Sequence, residues 1–445
     1  MPPARILFVT PYFPPFAPVG AVRMPALARY WAARGARVDV IAADNPNFAG
    51  LLPRVGEPGI TAHHVAYRPG QASSNPDAPP PATGSGPAGD TRPPGYLKRL
   101  YRALRTLPDR YHPYWTGEAA RVGAAAAGEA GSEIIYSSGP PQSAHIAAAA
   151  ISAQTGLPWV AELRDIWLGQ PYSDTPAPVR LLSERLGKKT LAQADGFVTV
   201  TEGAGADMRG RFGKPVTVAF NGFSPDDFPA EDGPPPALDP GRLTILHAGV
   251  VYAERRDPAA LFAAIARLPE DERAKILCLF YHDERGFVEA RAAEHGVLAS
   301  IEIRPLVPRP EMLALERRVD VLLLCRWDDA RDDAVVPGKT FEYIGARRPV
   351  LAIGSERGEA AEIVRAGPFG LVSNDPDMIA GQLSAWLAEK RAAAAKDDPR
   401  VPDLPAGPTA PYARAAQFAR VDEALTTALE NAPANPYIET QKVEA

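Results

Sequence analysis

Short apolar, β-branched runs alternate with helical patterns along most of the chain. That alternation, repeated in two successive series, constrains the fold more than any other feature. In the first series the expected strands are Arg5–Thr10, Val38–Ala42, Glu133–Ser137, Trp159–Glu162 and Phe197–Thr201. Between the first two, Met24, Leu27, Ala28 and Trp31 fall at i, i+3, i+4 and i+7, one face of a helix that Gly35 stops. The second series runs through Leu243–Ala248, Ile276–Tyr281, Ile301–Arg304, Val319–Leu324, Val350–Ile353 and Leu371–Ser373. Strands separated by helices pair in parallel, and a parallel sheet needs helices on both faces. The expected fold is α/β, with two Rossmann-like, doubly wound parallel-sheet domains. Ligands of such sheets bind beyond the carboxyl ends of the strands, which makes an interdomain cleft the expected site.

Composition agrees with this and removes other classes. A length of 445 residues suits two domains. A formal charge of −5 gives no whole-protein attraction for nucleic acid. No apolar run approaches the ~20 residues of a membrane span. Ile6–Thr10 lacks the basic flank and longer apolar core of a signal peptide. The 2 cysteines, Cys278 and Cys325, lie in the apolar runs ILCLF and VLLLC, where Cys acts as a small buried hydrophobe. No Cys/His spacing suggests zinc, and the cysteine usage makes a reducing, cytoplasmic setting the expected location. Residues 68–95 are dominated by Pro and Gly and have no apolar period, which predicts a flexible loop.

Several motif matches fail on context. Gly84-Ser-Gly86-Pro-Ala-Gly89 fits GxGxxG but has no strand before it and no helix after it. Gly338-Lys339-Thr340 resembles the end of a P-loop, but Asp333 occupies the place of the first glycine. Asp375-Pro-Asp377 reads as a helix start, with acidic residues and Pro in the first turn, ahead of a metal site. Ser138 lacks the glycine that a nucleophile elbow needs.

Three segments remain. Gly20 precedes a helix after a Pro-rich turn, where backbone N–H groups can face an anion; the plainer reading is a tight turn. Gly249 ends a buried strand and is followed by Arg255 and Arg256, whose forked side chains suit a diphosphate; the plainer reading is a solvated pair. Lys339 and Glu342 are three apart and share a helical face, so the cation can meet a phosphate while the carboxylate accepts from ribose hydroxyls. An ordinary surface Glu–Lys pair has the same spacing.

Taken in order, several segments resemble family 4 glycosyltransferases, retaining enzymes of the GT-B fold. They are PYFPP…VGAVRMPALARYWAARGARVDVIA, PPQSAHIAAAAISAQTGLPWVAELRDIW, FVTVTEGAGADM…VTVAFNGFSPDDF, IEIRPLVPRPEMLALERRVDVLLL and VPGKTFEYIGARRPVLAI. ELRDIW and PGKTFEYIGARRPVLAI are similar to enzymes that build bacterial surface polysaccharides and lipopolysaccharide O-chains. The resemblance implies an acceptor domain over 1–212, a nucleotide-sugar donor domain over 213–405, and a C-terminal helix within 406–431 that crosses back to the first domain. It places Gly20 toward the donor phosphates, the region of Gly249, Arg255, Arg256 and Lys339 at the leaving diphosphate, Glu342 at the ribose, and the backbone of Leu306 and Val307 at the base. Arg164, Asp165 and His145 become the candidate acceptor-side catalytic residues, although the alanine-rich context of His145 favours a packed or solvated helix histidine. The chain departs from the family pattern at Ala334, where the first glutamate of E-x7-E is expected, at Val250 in place of Arg, and at Ser138 in place of His.

The activity implied is retaining, metal-independent transfer of a hexose from a nucleotide-diphospho-sugar to a lipid-linked or saccharide acceptor, without a cofactor. An epimerase, a phosphorylase or a non-catalytic nucleotide-sugar-binding subunit are the alternatives. Within 96–111, YLKRLYRALRTLPDRY, Leu97, Leu100, Tyr101 and Leu104 form one face and Lys98, Arg99, Arg102 and Arg105 lie outside it. Such a helix can contact an anionic membrane peripherally, on the inner face of the plasma membrane. It can equally pack its leucines onto the first domain.

Overall fold

The structure, a computed structural model, describes residues 3–18, 21–48, 52–68, 96–112, 114–169, 175–228, 238–249, 251, 255–282, 286–395 and 400–433; for 96–99 and 102 it describes the backbone alone. Among the described residues, thirteen strands form two sheets. The first contains β1 (Arg5–Val9), β2 (Arg37–Asp44), β3 (Ile60–Ala66), β4 (Ile134–Gly139), β5 (Trp159–Leu163), β6 (Gly196–Thr199) and β7 (Val216–Val218), in the order β3-β2-β1-β4-β5-β6-β7. The second contains β8 (Leu243–Ala248), β9 (Ile276–Tyr281), β10 (Ile301–Arg304), β11 (Val321–Cys325), β12 (Val350–Ile353) and β13 (Gly370–Val372), in the order β10-β9-β8-β11-β12-β13. Every pairing is parallel. In each sheet the order reverses at the first strand of its series, β1 beside β4 and β8 beside β11, and these are the switch points where doubly wound sheets bind ligands.

The expected α/β fold is the observed one, but the first sheet carries two strands beyond those the sequence suggests. Both β3 and β7 are edge strands, paired on one side only. β3 reads ITAHHVA, with its polar residues half-buried or exposed, and β7 is three residues long, so neither carries the apolar run that marks a central strand.

The chain divides into two compact units, Met1–Ala219 with Phe418–Ala445, and Phe220–Gln417. In the first, α1 (Arg23–Ala33) lays its predicted stripe on the sheet: Met24, Leu27, Ala28 and Trp31 are all buried. The Trp31 ring meets Phe8 edge-on at 5.7 Å and Tyr136 at 5.3 Å. After α2 (Tyr96–Arg105), helices α3 (Tyr114–Ala130) and α4 (Ser143–Thr155) pack on the other face. They approach closely because Gly123 has no Cβ; a methyl there would fall 2.5 Å from the Ile151 side chain. The last helix runs Arg414–Asn431, and Asp422 on it accepts from Trp31 Nε1 at 2.8 Å and Tyr30 Oη at 3.1 Å.

In the second unit Cys278 and Cys325 are buried and unpaired, as their apolar context predicts, and burial pushes the Cys325 thiol up to about 12. Asp375 caps the helix Pro376–Ala394, its carboxylate accepting from Asp377 N at 2.9 Å, which agrees with the helix-start reading. Among the described residues no group of His, Cys, Asp and Glu could hold a metal ion, and no helix is long and apolar enough to cross a membrane. Gly20 and most of the Pro/Gly-rich stretch 68–95 lie outside the described residues.

Candidate functional site

In the second unit the predicted residues gather where β8 ends. Gly249 takes φ +107°, a left-handed conformation that glycine adopts without steric cost. The absent side chain matters too, because a Cβ there would collide with Lys339 Nζ. Lys339 lies in the first turn of the helix Gly338–Gly345, half-buried, and its ammonium donates to the Ala248 carbonyl. Burial first, and then the charge of Arg256, lowers the Lys339 pKa. A cation is therefore held partly desolvated at a strand end beside a helix N-terminus, an arrangement suited to an anion. The two arginines diverge. Arg256 is the one whose charge reaches Lys339, while Arg255 lies over the Trp327 ring at 4.7 Å.

Glu342, three residues on, is half-buried and gripped by Arg309. Arg309 Nε and Nη2 both donate to Glu342 Oε1, at 3.2 and 2.8 Å. Leu306 and Val307 lie in the loop between β10 and the helix Arg309–Arg318, with Leu306 exposed and Val307 packed against the core. The same helix buries Glu316, whose Oε2 has no partner among the described residues and whose pKa is well above the ordinary value because of burial first and the Glu342 charge second. At position 334 there is no carboxylate, and the neighbouring acids do other work. Asp333 accepts from Ser355 Oγ at 2.9 Å, and its carbonyl accepts from Glu359 N at 2.9 Å. Asp332 pairs with buried Arg326 at 3.5 Å.

In the first unit a buried ion pair lies beside the switch point. Arg23 Nε donates to Glu162 Oε1 at 2.9 Å, and Ser138 Oγ donates to Glu162 Oε2 at 2.6 Å. Burial, the largest single influence, would raise the Glu162 pKa; the Arg23 charge, the Ser138 hydrogen bond and the Arg164 charge together outweigh it and hold the carboxyl below its ordinary value. Ser138 is thus a buried partner of Glu162. Arg164 donates from Nη2 to the Pro140 carbonyl, and Asp165 beside it is exposed.

His145 does not fit the catalytic role considered for it. It is completely buried, Trp159 Nε1 donates to Ser137 Oγ at 2.7 Å, and that hydroxyl bonds His145 Nδ1 at 2.8 Å. Ser137 Oγ accepts from Trp159, so its own hydroxyl proton is available to His145 Nδ1. Burial pushes the imidazole down to about 3. A neutral ring with no exposed atom packs the core and cannot meet substrate.

The amphipathic segment forms α2, and its outer residues are not packed away: Tyr101 is 60% and Leu104 45% exposed. On the adjoining helix α5 (Ala177–Leu191), Leu181 is 58% and Leu182 43% exposed, among exposed Arg180, Arg185, Lys188 and Lys189.

Sequence reasoning missed Arg309, Asp227, Glu316 and the Arg23–Glu162 pair. The one available signal was a lone acid in the otherwise apolar strand WVAEL, which is unusual unless it is paired.

Two parallel-sheet Rossmann-like units define a GT-B fold. Residues 20–224 match the sequence family described as Glycosyl transferase 4-like domain, just under half of the chain. Among solved structures, the sucrose-phosphate synthase of Thermosynechococcus elongatus is similar at 15% identity and a TM-score of 0.53, covering 99% of this chain and 98% of that one. Anabaena Alr3699/HepE, solved in complex with UDP-glucose, is similar at 14% identity and a TM-score of 0.51, covering 99% and 100%. A putative UDP-N-acetylglucosamine 2-epimerase from Listeria monocytogenes is similar at 14% identity and a TM-score of 0.52, covering 97% and 98%. At these identities the likeness is one of fold. No curated protein matches.

Proposed function

We propose that the chain is a retaining glycosyltransferase that moves a hexose from a nucleotide-diphospho-sugar to a lipid-linked or saccharide acceptor in surface-polysaccharide synthesis. The observation that carries the reading is the partly desolvated Lys339 ammonium held against Gly249 at the end of β8, with Glu342 one helical turn away. The family match over 20–224 and the UDP-glucose bound by the HepE relative support it. Lys339, Arg256 and the N-terminus of Gly338–Gly345 take the charge that develops as the bond from the anomeric carbon to the diphosphate breaks. Glu342 accepts from the ribose hydroxyls, and the backbone of Leu306 and Val307 meets the base. The acceptor oxygen bonds the anomeric carbon on the face the diphosphate leaves, and its proton passes to the departing phosphate. That route needs neither a metal nor the imidazole that Ser138 replaces. Arg164 and Asp165 serve the acceptor side.

Purified protein is expected to bind one nucleoside diphosphate saturably, and Glu342→Ala to weaken that binding about tenfold or more, the worth of a charge-assisted hydrogen bond. Folded protein that binds no nucleotide would reject the transferase. Conversion of the nucleotide-sugar with no acceptor present would replace it with an epimerase.

The lipid-linked acceptor gives the α2–α5 face a role at the inner surface of the plasma membrane. Its four exposed apolar side chains enter the headgroup boundary, and the basic residues around them meet anionic lipid. Flotation with vesicles containing phosphatidylglycerol is expected. Leu181→Glu/Leu182→Glu abolishes it, whereas equal flotation of both proteins would remove the membrane from the proposal.

A further inference from the structure

We infer that Arg309 is a positioning residue for nucleotide recognition: it aims one oxygen of Glu342 at the ribose diol and is itself braced by Asp227. The inference rests on the reading of Glu342 as the ribose carboxylate and adds the side chains that orient it.

The contacts are asymmetric. Arg309 places Nε at 3.2 Å and Nη2 at 2.8 Å from the same atom, Glu342 Oε1. Two N–H donors saturate that oxygen, while Oε2 has no protein partner among the described residues. A carboxylate held in this way presents one oxygen with both lone pairs available, and two adjacent hydroxyls can converge on it.

Arg309 would be a poor lever if it were itself loose. Its Nη2 also lies 3.2 Å from Asp227 Oδ2, and that oxygen takes Arg414 Nη2 at 3.0 Å. Asp227 ends the short turn Pro225–Asp227, and Arg414 is largely buried. Glu342, Arg309, Asp227 and Arg414 thus alternate in sign, each restrained by its neighbour.

A further acid whose field reaches this place is buried Glu316. Burial and the Glu342 charge favour its protonated form, so it does not draw Arg309 away from Glu342. None of this is readable from spacing. Arg309 and Glu342 are 33 residues apart, and Asp227 and Arg414 are 187 apart.

The readout is discrimination between ribose and its dideoxy analogue, which a purely structural role would leave intact. Binding of ADP, GDP, CDP and UDP is compared with that of the 2′,3′-dideoxy counterpart of each. Wild type is expected to prefer the ribonucleotide about tenfold or more. Arg309→Met should bring the ratio close to one while affinity for the dideoxy compound and the thermal transition stay unchanged. Arg309→Lys should give an intermediate ratio, because one ammonium cannot supply both contacts. Asp227→Ala should lower the ratio in the same direction.

If Arg309→Met keeps the ratio while Glu342→Ala loses it, the inference falls and the ribose role of Glu342 remains. If Glu342→Ala also keeps it, both fall. If folded Arg309→Met loses affinity for the dideoxy compound as well, Arg309 binds the nucleotide directly and the positioning role is overturned. Wild-type protein without discrimination overturns the inference together with the ribose assignment.

Discussion

Arg23→Met lowers the stability of the first unit by about 3–5 kcal/mol, because it leaves the Glu162 carboxylate buried without its cation. The loss exceeds that of an ordinary core truncation for a specific reason. Glu162 has no exposed surface, and removing Arg23 strands a charge that water cannot reach. The same substitution takes the donor from the Ala219 carbonyl, which accepts from Arg23 Nη2 at 3.1 Å. Replacing the whole group, Arg23→Met/Glu162→Leu/Ser138→Ala, should restore most of the stability, since apolar groups of similar volume leave no charge to desolvate.

The pH dependence separates charge from packing. In the wild type the folded carboxyl lies below its ordinary value of 4.5, so its contribution is present above that value and is lost as pH falls through the folded pKa. In Arg23→Met the largest lowering influence is gone, so the folded pKa rises and the stability that ionisation adds above it shrinks. The gap between the two proteins therefore narrows on acidification. A gap that stays constant with pH would mean that Arg23 acts by packing alone. Tryptophan fluorescence in denaturant follows this unit well, since four of the 6 tryptophans, Trp31, Trp115, Trp159 and Trp167, belong to it.

The pair also shows where reading a sequence stops. Central strands are legible because burial on both faces writes a continuous apolar run, as in VLLLC of β11. Edge strands β3 and β7 are not, because half their environment is polar. Lys339 and Glu342 are legible together because one helical turn fixes their relation before any tertiary contact forms. Arg23 and Glu162 are 139 residues apart, and only the sheet order, with β1 beside β4 and β4 beside β5, brings them to one place. His145 is the opposite case. A histidine in a resembling segment looks functional until the fold buries it behind Trp159 and Ser137.

Lys339→Met should reduce transfer, measured as kcat/KM for the nucleotide-sugar, by about 10²–10³-fold with the fold intact. The ammonium is valuable here because it is already in place. Its partner in the free protein is a neutral carbonyl, that of Ala248, so an arriving diphosphate does not have to break an ion pair. Gly249→Ala tests the same point without touching the charge. The new methyl collides with Lys339 Nζ at a φ of +107°, so the ammonium must move, and about tenfold of the rate should go with it. Because burial and Arg256 lower the Lys339 pKa, the free protein should lose activity at a pH below the ordinary lysine value of 10.5. Lys339→Arg, which keeps its charge throughout, should move that alkaline limb upward even where its rate is lower. Wild-type rates in Lys339→Met would show that the leaving diphosphate is neutralised elsewhere. A limb unmoved in Lys339→Arg would assign the titration to another group.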